Sequence, residues 1–307
     1  MDTLFIPAAL AAGGLLAVQA AANAQLAKAV GSPFGATTIQ LSVGAAVLAL
    51  LSALSGGLAT LSGLTTAPWW HSLGGTASAF YVVSTILLFP RLGAVVSVGL
   101  LIAGQMLASL GLDAFGLLGV PMKGLEPPAF VGTLAVLIGV AAIVLGQTGG
   151  SDTLSASKLG WIGLALLAGA VLPVQGAVNG LLRQDIGAPF AVGAVSFFVA
   201  TLAMAAALLL AVVLADQPRP KLAGVARMPW WGWLGGLAGA AYVTTVFTAI
   251  PVIGTAAAVG LMVAGQQVAS VFVDRYGWFR LPKRPVSALR LGGVVLLLAG
   301  VAAIKLV

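Results

Sequence analysis

Four carboxamides are the groups in this sequence best placed to do chemistry. Gln19 and Asn23 stand four residues apart, as do Gln175 and Asn179, and on a helix that spacing puts each pair on one face. A carboxamide offers two N–H donors and a carbonyl acceptor. The four together therefore read as a ring of neutral donors and acceptors around a polar solute. The competing reading is that they bond across helices as packing glue, worth roughly 0.6–2 kcal/mol each. A second set repeats the spacing, Gln105 with Ser109 and Gln266 with Ser270, and reads as polar packing. Tyr81 and Tyr242, followed three residues on by Ser84 and Thr245, bring hydroxyls that need partners when buried, either lining a cavity or inside the fold.

The missing residue types narrow the chemistry. There is no cysteine and a single histidine, His71, which excludes disulfides, zinc–thiolate centres and histidine-rich metal sites. The seven acids are Asp2, Asp113, Glu126, Asp152, Asp185, Asp216 and Asp274. None falls in the middle of an apolar stretch. Asp113 and Asp274 sit at the ends of such stretches and read as gate residues or helix-end anchors. Phosphate-binding loops, dinucleotide fingerprints, nucleophile elbows and metalloprotease motifs are not present. The expectation is a protein that is not an enzyme and has no cofactor, no metal and no nucleic-acid partner.

Of the 307 residues, 60% are hydrophobic and 7% charged, whereas a soluble domain carries about 25% charged residues. A helix needs roughly 20 apolar residues to cross the hydrocarbon core. Ten such stretches lie near 4–28, 33–59, 68–89, 92–112, 129–147, 158–182, 189–214, 229–250, 252–273 and 287–306. They lack the period-two alternation of barrel strands. The predicted class is an all-α integral membrane protein with ten transmembrane helices. Pro90-Arg91 and Pro251-Val252 are predicted as tight turns, and Pro7 and Pro173 as kinks inside their helices. Trp69, Trp70, Trp230, Trp231 and Trp233 read as an interfacial belt, with His71 among them as an interfacial residue rather than a ligand.

Lys and Arg are retained on the cytoplasmic side. With the N-terminus outside, inner loops hold Lys28, Arg91, Lys158, Arg219, Lys221, Arg227, Arg275, Arg280, Lys283, Arg284 and Arg290, and the outer side holds Lys123, Arg183 and Lys305. This bias predicts both termini outside. Met1-Asp2-Thr3 has no positive n-region, so the first helix is expected to stay in the mature protein.

The chain repeats itself. Residues 18–34 read VQAAANAQLAKAVGSPF, and residues 174–190 read VQGAVNGLLRQDIGAPF. Pro68-Trp69-Trp70 falls on Pro229-Trp230-Trp231, Gly74-Gly75 on Gly235-Gly236, Tyr81 on Tyr242, Gly104-Gln105 on Gly265-Gln266, Ser109 on Ser270 and Asp113 on Asp274. From 68 to 116, 22 of 49 positions are identical to 229–277. The predicted units are 1–150 and 151–307. Five helices is an odd number, so the second unit enters the membrane from the opposite face, and the loops agree. LDAFGLLGVPMKGLEPPA carries one lysine, while its counterpart VDRYGWFRLPKRPVSALR carries five cations. Inverted repeats with a midplane site between them recur among transporters.

The Q-x3-N of the first helix followed by G-x-P-F, the PWW…GG…Y of the third and the AGQ…S…D…G of the fourth resemble the YdcZ-like family of the drug/metabolite transporter superfamily. The resemblance recurs once per half. Members are commonly single five-helix units thought to pair in antiparallel fashion, so this chain resembles a fused pair, working as a single chain. The resemblance implies transport, a bacterial inner-membrane location and a small-molecule partner beside membrane lipid. It supplies no substrate. The similar small multidrug resistance proteins use a glutamate in the middle of the first helix, which this sequence lacks. The expected function is a transporter of a small organic solute working by alternating access. The alternative is a passive facilitator or a lipid scramblase.

Overall fold

A computed structural model describes residues 4–92, 94–122, 124, 126–145, 156–280, 283 and 287–305. Ten α-helices follow one another: α1 (Phe5–Val30), α2 (Pro33–Leu54), α3 (Gly75–Leu92), α4 (Ala94–Phe115), α5 (Pro127–Leu145), α6 (Ala156–Ile186), α7 (Pro189–Leu214), α8 (Leu234–Ile253), α9 (Thr255–Tyr276) and α10 (Ala288–Lys305). Among the described residues there is no strand. Seven helical stretches are long and apolar enough to cross a membrane, and shorter apolar stretches lie in α5, α9 and α10. The chain is an all-α integral membrane protein.

The repeated G-x-P-F motif builds the first corner of each half. Gly31 and Gly187 take φ of 71° and 75°, a left-handed conformation that glycine adopts without penalty and that ends a helix. Pro33 and Pro189 then open α2 and α7, where a missing N–H costs nothing. Ser32 caps α2 by accepting from the Gly35 N–H at 3.1 Å. Ala188 stands in its place before α7 and provides no such cap.

Several boundaries differ from the sequence expectation, each for a local reason. α2 stops at Leu54 rather than near 59, because Gly56 turns left-handed (φ 73°) and Gly57–Thr65 continues as a 3-10 segment. The third and eighth spans begin as 3-10 turns, Trp69–Gly74 and Trp230–Trp233. Pro90 and Pro251 do not make the turns. Both lie inside the last turns of α3 and α8, and α8 breaks instead at Gly254, whose φ of 82° and ψ of 159° only glycine readily adopts. Pro7 is the third residue of α1, where its N–H would be unpaired anyway. Pro173 lies within α6, which is one helix from Ala156 to Ile186.

The two halves are laid on each other more than on themselves. α1 packs chiefly on α9 and α8, α6 on α4 and α3, α2 on α7, and α5 on α10. Glycine makes the closest of these approaches. Gly13 of α1 lies against the Met262 carbonyl of α9, and the equivalent Gly169 of α6 against the Leu101 carbonyl of α4. A Cβ at either position would overlap backbone. The same contacts give helix directions. Gly44 meets Phe197 while Gly193 meets Leu48, and Gly139 meets Gly293 while Gly300 meets Gly132. The equivalent helices α2 and α7 therefore run antiparallel, as do α5 and α10.

Candidate solute site

The four amides lie in two clusters that correspond position by position. In one, Gln19 and Asn23 of α1 meet Gln40 of α2 and the glycine face of α8. Asn23 Oδ1 lies against Gly235 and Gln19 Nε2 against Gly239, while Gln40 Nε2 donates to the Gly235 carbonyl at 3.2 Å. In the other, Gln175 Nε2 donates to Ser78 Oγ at 2.6 Å and to Ser196 Oγ at 3.4 Å, and Asn179 Nδ2 donates to Ser196 Oγ at 3.0 Å. Asn179 Oδ1 lies against Gly74. Gln40 and Ser196 are equivalent positions, as are Gly239 and Ser78. A large amide opposite a glycine in one half is replaced by two small hydroxyls in the other, so the space is filled both times.

All four amides are buried, none more than 5% exposed. Asn23 Oδ1 and Asn179 Oδ1 have no hydrogen-bond partner among the described residues, and neither do the equivalent Gln105 Oε1 and Gln266 Oε1. A buried acceptor left unmet costs about 1–3 kcal/mol. The same two acceptors are unmet in each half, as duplication of either a binding or a packing arrangement would give.

Between the clusters lies a cavity lined by both repeats in equivalent pairs: Leu16 and Leu172, Leu41 and Phe197, Ser78 and Gly239, Tyr81 and Tyr242, Val82 and Val243. Gln19 joins them without its counterpart. The cavity leaves about 10 Å³ open to the centre of a water molecule, close to the minimum for one water. The structure thus brings Gln19, Tyr81 and Tyr242 to one place, with Gln175 reaching it through Ser78. Asn23 and Asn179 stand one helical turn back. Gln266 lies beside the Tyr81 hydroxyl, which ties α9 to the same centre.

The remaining hydroxyl candidates are engaged with their own helices. Ser109 donates to Met106 O at 2.9 Å, Ser270 to Gln267 O at 2.8 Å and Thr245 to Ala241 O at 2.8 Å. Gln105 Nε2 reaches only Leu101 O, at 3.5 Å, and Ser84 is buried. Asp113, at the end of α4, accepts from the Thr255 N–H at 3.2 Å. That places a carboxylate on the first turn of α9, where the helix dipole favours it. The side chain of the equivalent Asp274 lies outside the described residues.

One contact was not foreseen. His71 is buried within the protein, and its Nδ1 meets Asp185 Oδ2 at 2.5 Å, joining the 3-10 turn before α3 to the end of α6. Gly232 and Ala29 occupy the equivalent positions, so the pair exists in one half only. Trp69 and Trp230, by contrast, are about three-quarters exposed, as belt residues would be.

Two clefts flank the centre at opposite ends, each between the end of the first helix and the end of the third helix of its repeat. The cleft of α1 measures about 350 Å³ and is lined by Ala20, Ala24, Ala27, Lys28, Gly31, Pro33, Thr85 and Ile86. The cleft of α6 measures about 110 Å³ and shares two equivalent wall positions, Gly180 for Ala24 and Gln184 for Lys28. Leu118–Pro121 form one of its walls, with Leu118 held at a left-handed φ of 54°. Its counterpart Phe279 has φ of 58°, so both halves store backbone strain at this corner.

Interlocked antiparallel helices around a shared polar centre define a multi-pass helical membrane protein. The profile of the family described as "Putative inner membrane exporter, YdcZ" matches residues 4–142 and 160–303. The chain belongs to this YdcZ-like family, as a fusion of two of its units, and is a multi-pass inner membrane protein of a transporter family. Inner membrane protein YdcZ of Escherichia coli (strain K12) is 31% identical over 71 residues, 23% of this chain and 47% of that protein. The match thus spans about half the length of that curated relative. A solved crystal structure, 19% identical, superposes with a TM-score of 0.68 over 99% of this chain and 96% of that one, a likeness of fold.

Proposed function

We propose that the protein carries a small organic solute across the inner membrane by alternating access. Units 1–150 and 151–307 rock about the cavity bounded by Gln19, Ser78, Tyr81 and Tyr242, and a single chain is the working unit. The antiparallel course of α2 with α7 and of α5 with α10 supports inverted repeats. With the N-terminus outside, the cleft of α1 faces the cytoplasm and the cleft of α6 faces out.

The observation that carries this reading is the inequality of the two clefts. They occupy corresponding places at opposite ends, yet one holds about 350 Å³ and the other about 110 Å³. Equivalent elements enclosing unequal spaces are what a protein alternating between two mirror states would present. The buried amides then serve as hydrogen-bond groups that a solute meets as it passes, without a buried charge to desolvate.

A thermal-shift screen of the purified protein tests the solute-binding part. The panel holds guanidinium and quaternary amines, nucleosides, amino acids, sugars and carboxylates. A ligand that binds only the folded state raises stability as RT ln(1 + [L]/Kd). The expected result is a hit that disappears in the Gln19→Ala, Gln175→Ala double variant. A hit that survives in that variant places the solute elsewhere.

A further inference from the structure

The cleft of α1 is apolar along most of its length. Its floor is a small-residue face of α1, with Ala20, Ala24 and Ala27 at helical spacing, and its far wall is Ile86 and Thr85. The Thr85 hydroxyl is engaged with the Val82 carbonyl at 2.7 Å, so the wall it presents is largely apolar. At the mouth the character changes. Lys28 lies on the rim together with Gly31 and Pro33, and Pro33 opens the 22-residue α2. Gly31 ends α1 where Pro33 opens α2, so the two helix dipoles oppose each other there and the Lys28 ammonium is the net charge of the rim.

Among the described residues, no carboxylate lines the cleft to offset that ammonium. Neither cleft has a carboxylate in its lining, and the central cavity has none. Asp216 is exposed, in the loop whose Lys221 N–H donates to the Val30 carbonyl at the end of α1, and it does not line the cleft, while Asp185 is bound to His71 and Asp113 to the first turn of α9. A cationic solute would meet an ammonium at the mouth and no counter-charge beyond it. A solute with one anionic group and an apolar body would meet its complement at each end. At about 350 Å³ the cleft falls within the range of about 300–1,000 Å³ typical of small-molecule sites. The equivalent cleft carries Gln184 where this one carries Lys28, so the charge marks one end of the molecule only.

We propose that the cleft of α1 is a binding site for an amphiphilic anion, with the charged group at Lys28 on the rim and the apolar chain along Ala20, Ala24 and Ala27. The binding stands by itself, and its assignment as the carried solute rests on the transport reading above. The anionic group is a carboxylate or phosphate, supplied by a free organic acid or by a phospholipid headgroup.

The test is a binding series on the full chain, purified in an uncharged maltoside: decanoate, decyl phosphate, decanol and decylammonium. The two anions are expected to bind about tenfold or more tightly than the alcohol, as gaining one charge-assisted contact would give, and the ammonium most weakly. Lys28→Gln, which installs the residue of the other half, is expected to bring decanoate down to the affinity of decanol. Lys28→Arg is expected to restore the preference, and Ala24→Leu to weaken all four ligands by filling the cleft. Decylammonium binding as tightly as decanoate, or decanoate binding unchanged in Lys28→Gln, overturns the proposal. Should Lys28→Gln fail to purify as a folded chain, the charge series on the native chain decides alone. Repeating the decanoate titration in nanodiscs of phosphatidylglycerol and of phosphatidylcholine separates the sources. Competition by phosphatidylglycerol assigns the site to a headgroup, and equal binding in both assigns it to a free acid. These are binding measurements, so a site that binds while vesicle flux fails would count against the transport reading and not against the site.

Discussion

Gln175 donates to the Ser78 hydroxyl at 2.6 Å, and at the equivalent place Gln19 faces Gly239, which has no side chain to accept. One amide is therefore committed to its neighbours while the other lines the central cavity. Pseudo-symmetric residues need not share a role, and the difference makes the first prediction. Gln19→Ala is expected to weaken solute binding by about three- to tenfold, the worth of one hydrogen bond of roughly 0.5–1.5 kcal/mol, with little change in thermal stability. Gln175→Ala is expected to lower stability as well, because Ser78 loses its donor while Ser196 keeps only Asn179. Ligand-dependent and ligand-free melting curves of the two variants check both halves of the statement.

Two adjacent glycines on α1 provide a test of the interlocked packing. A Cβ at Gly13 would overlap the Met262 carbonyl, whereas at Gly14 the nearest atom would be Ala269 Cβ at 3.6 Å, an ordinary contact. Gly13→Ala is expected to cost about 1–3 kcal/mol, the range for an overpacked core, and Gly14→Ala to be tolerated. Urea or thermal unfolding of the two variants measures this directly.

Asp113 should behave as an anchor of α9. Asp113→Ala removes an acceptor from the Thr255 N–H, and the expected loss is about 0.5–2 kcal/mol, as for other helix caps. Asp113→Asn keeps an acceptor and is expected to recover part of it. Unfolding of the two variants under identical conditions decides.

His71 and Asp185 form a contact between two elements that the rest of the molecule does not duplicate. A double-mutant cycle with His71→Ala and Asp185→Ala is expected to return a coupling of about 0.5–3 kcal/mol, the range for residues in contact. Coupling near zero would mean that the turn before α3 is held by its other contacts alone.

Much of the fold is written in the sequence because membrane helices need long apolar stretches and because this chain repeats itself. The G-x-P-F corners are readable for the same physical reasons that form them, a left-handed glycine and an N-terminal proline. The prolines at 90 and 251 misdirect, since a proline within a last helical turn is tolerated and the glycine at 254 makes the break. The amides stand out because they are identical in both halves. Gln40 and Ser196 do not, because the two halves solve the same space with different residue types, and a search for identities passes over them. His71 and Asp185 lie 114 residues apart with no counterpart, so only the folded chain brings them together.

The central claim is that the two clefts open in alternation. The sequence has no cysteine, so single replacements report without background. Ala24→Cys sits in the cleft of α1 and Gly180→Cys in the cleft of α6, where a new side chain meets no atom within 4 Å. In sealed membranes, attaching a bulky maleimide to Ala24→Cys from the cytoplasmic face wedges the first cleft open. The labelling rate at Gly180→Cys from the other face is then measured in the double variant. Alternating access predicts a severalfold fall in that rate. A rate left unchanged or raised would contradict the account and indicate an open pathway instead.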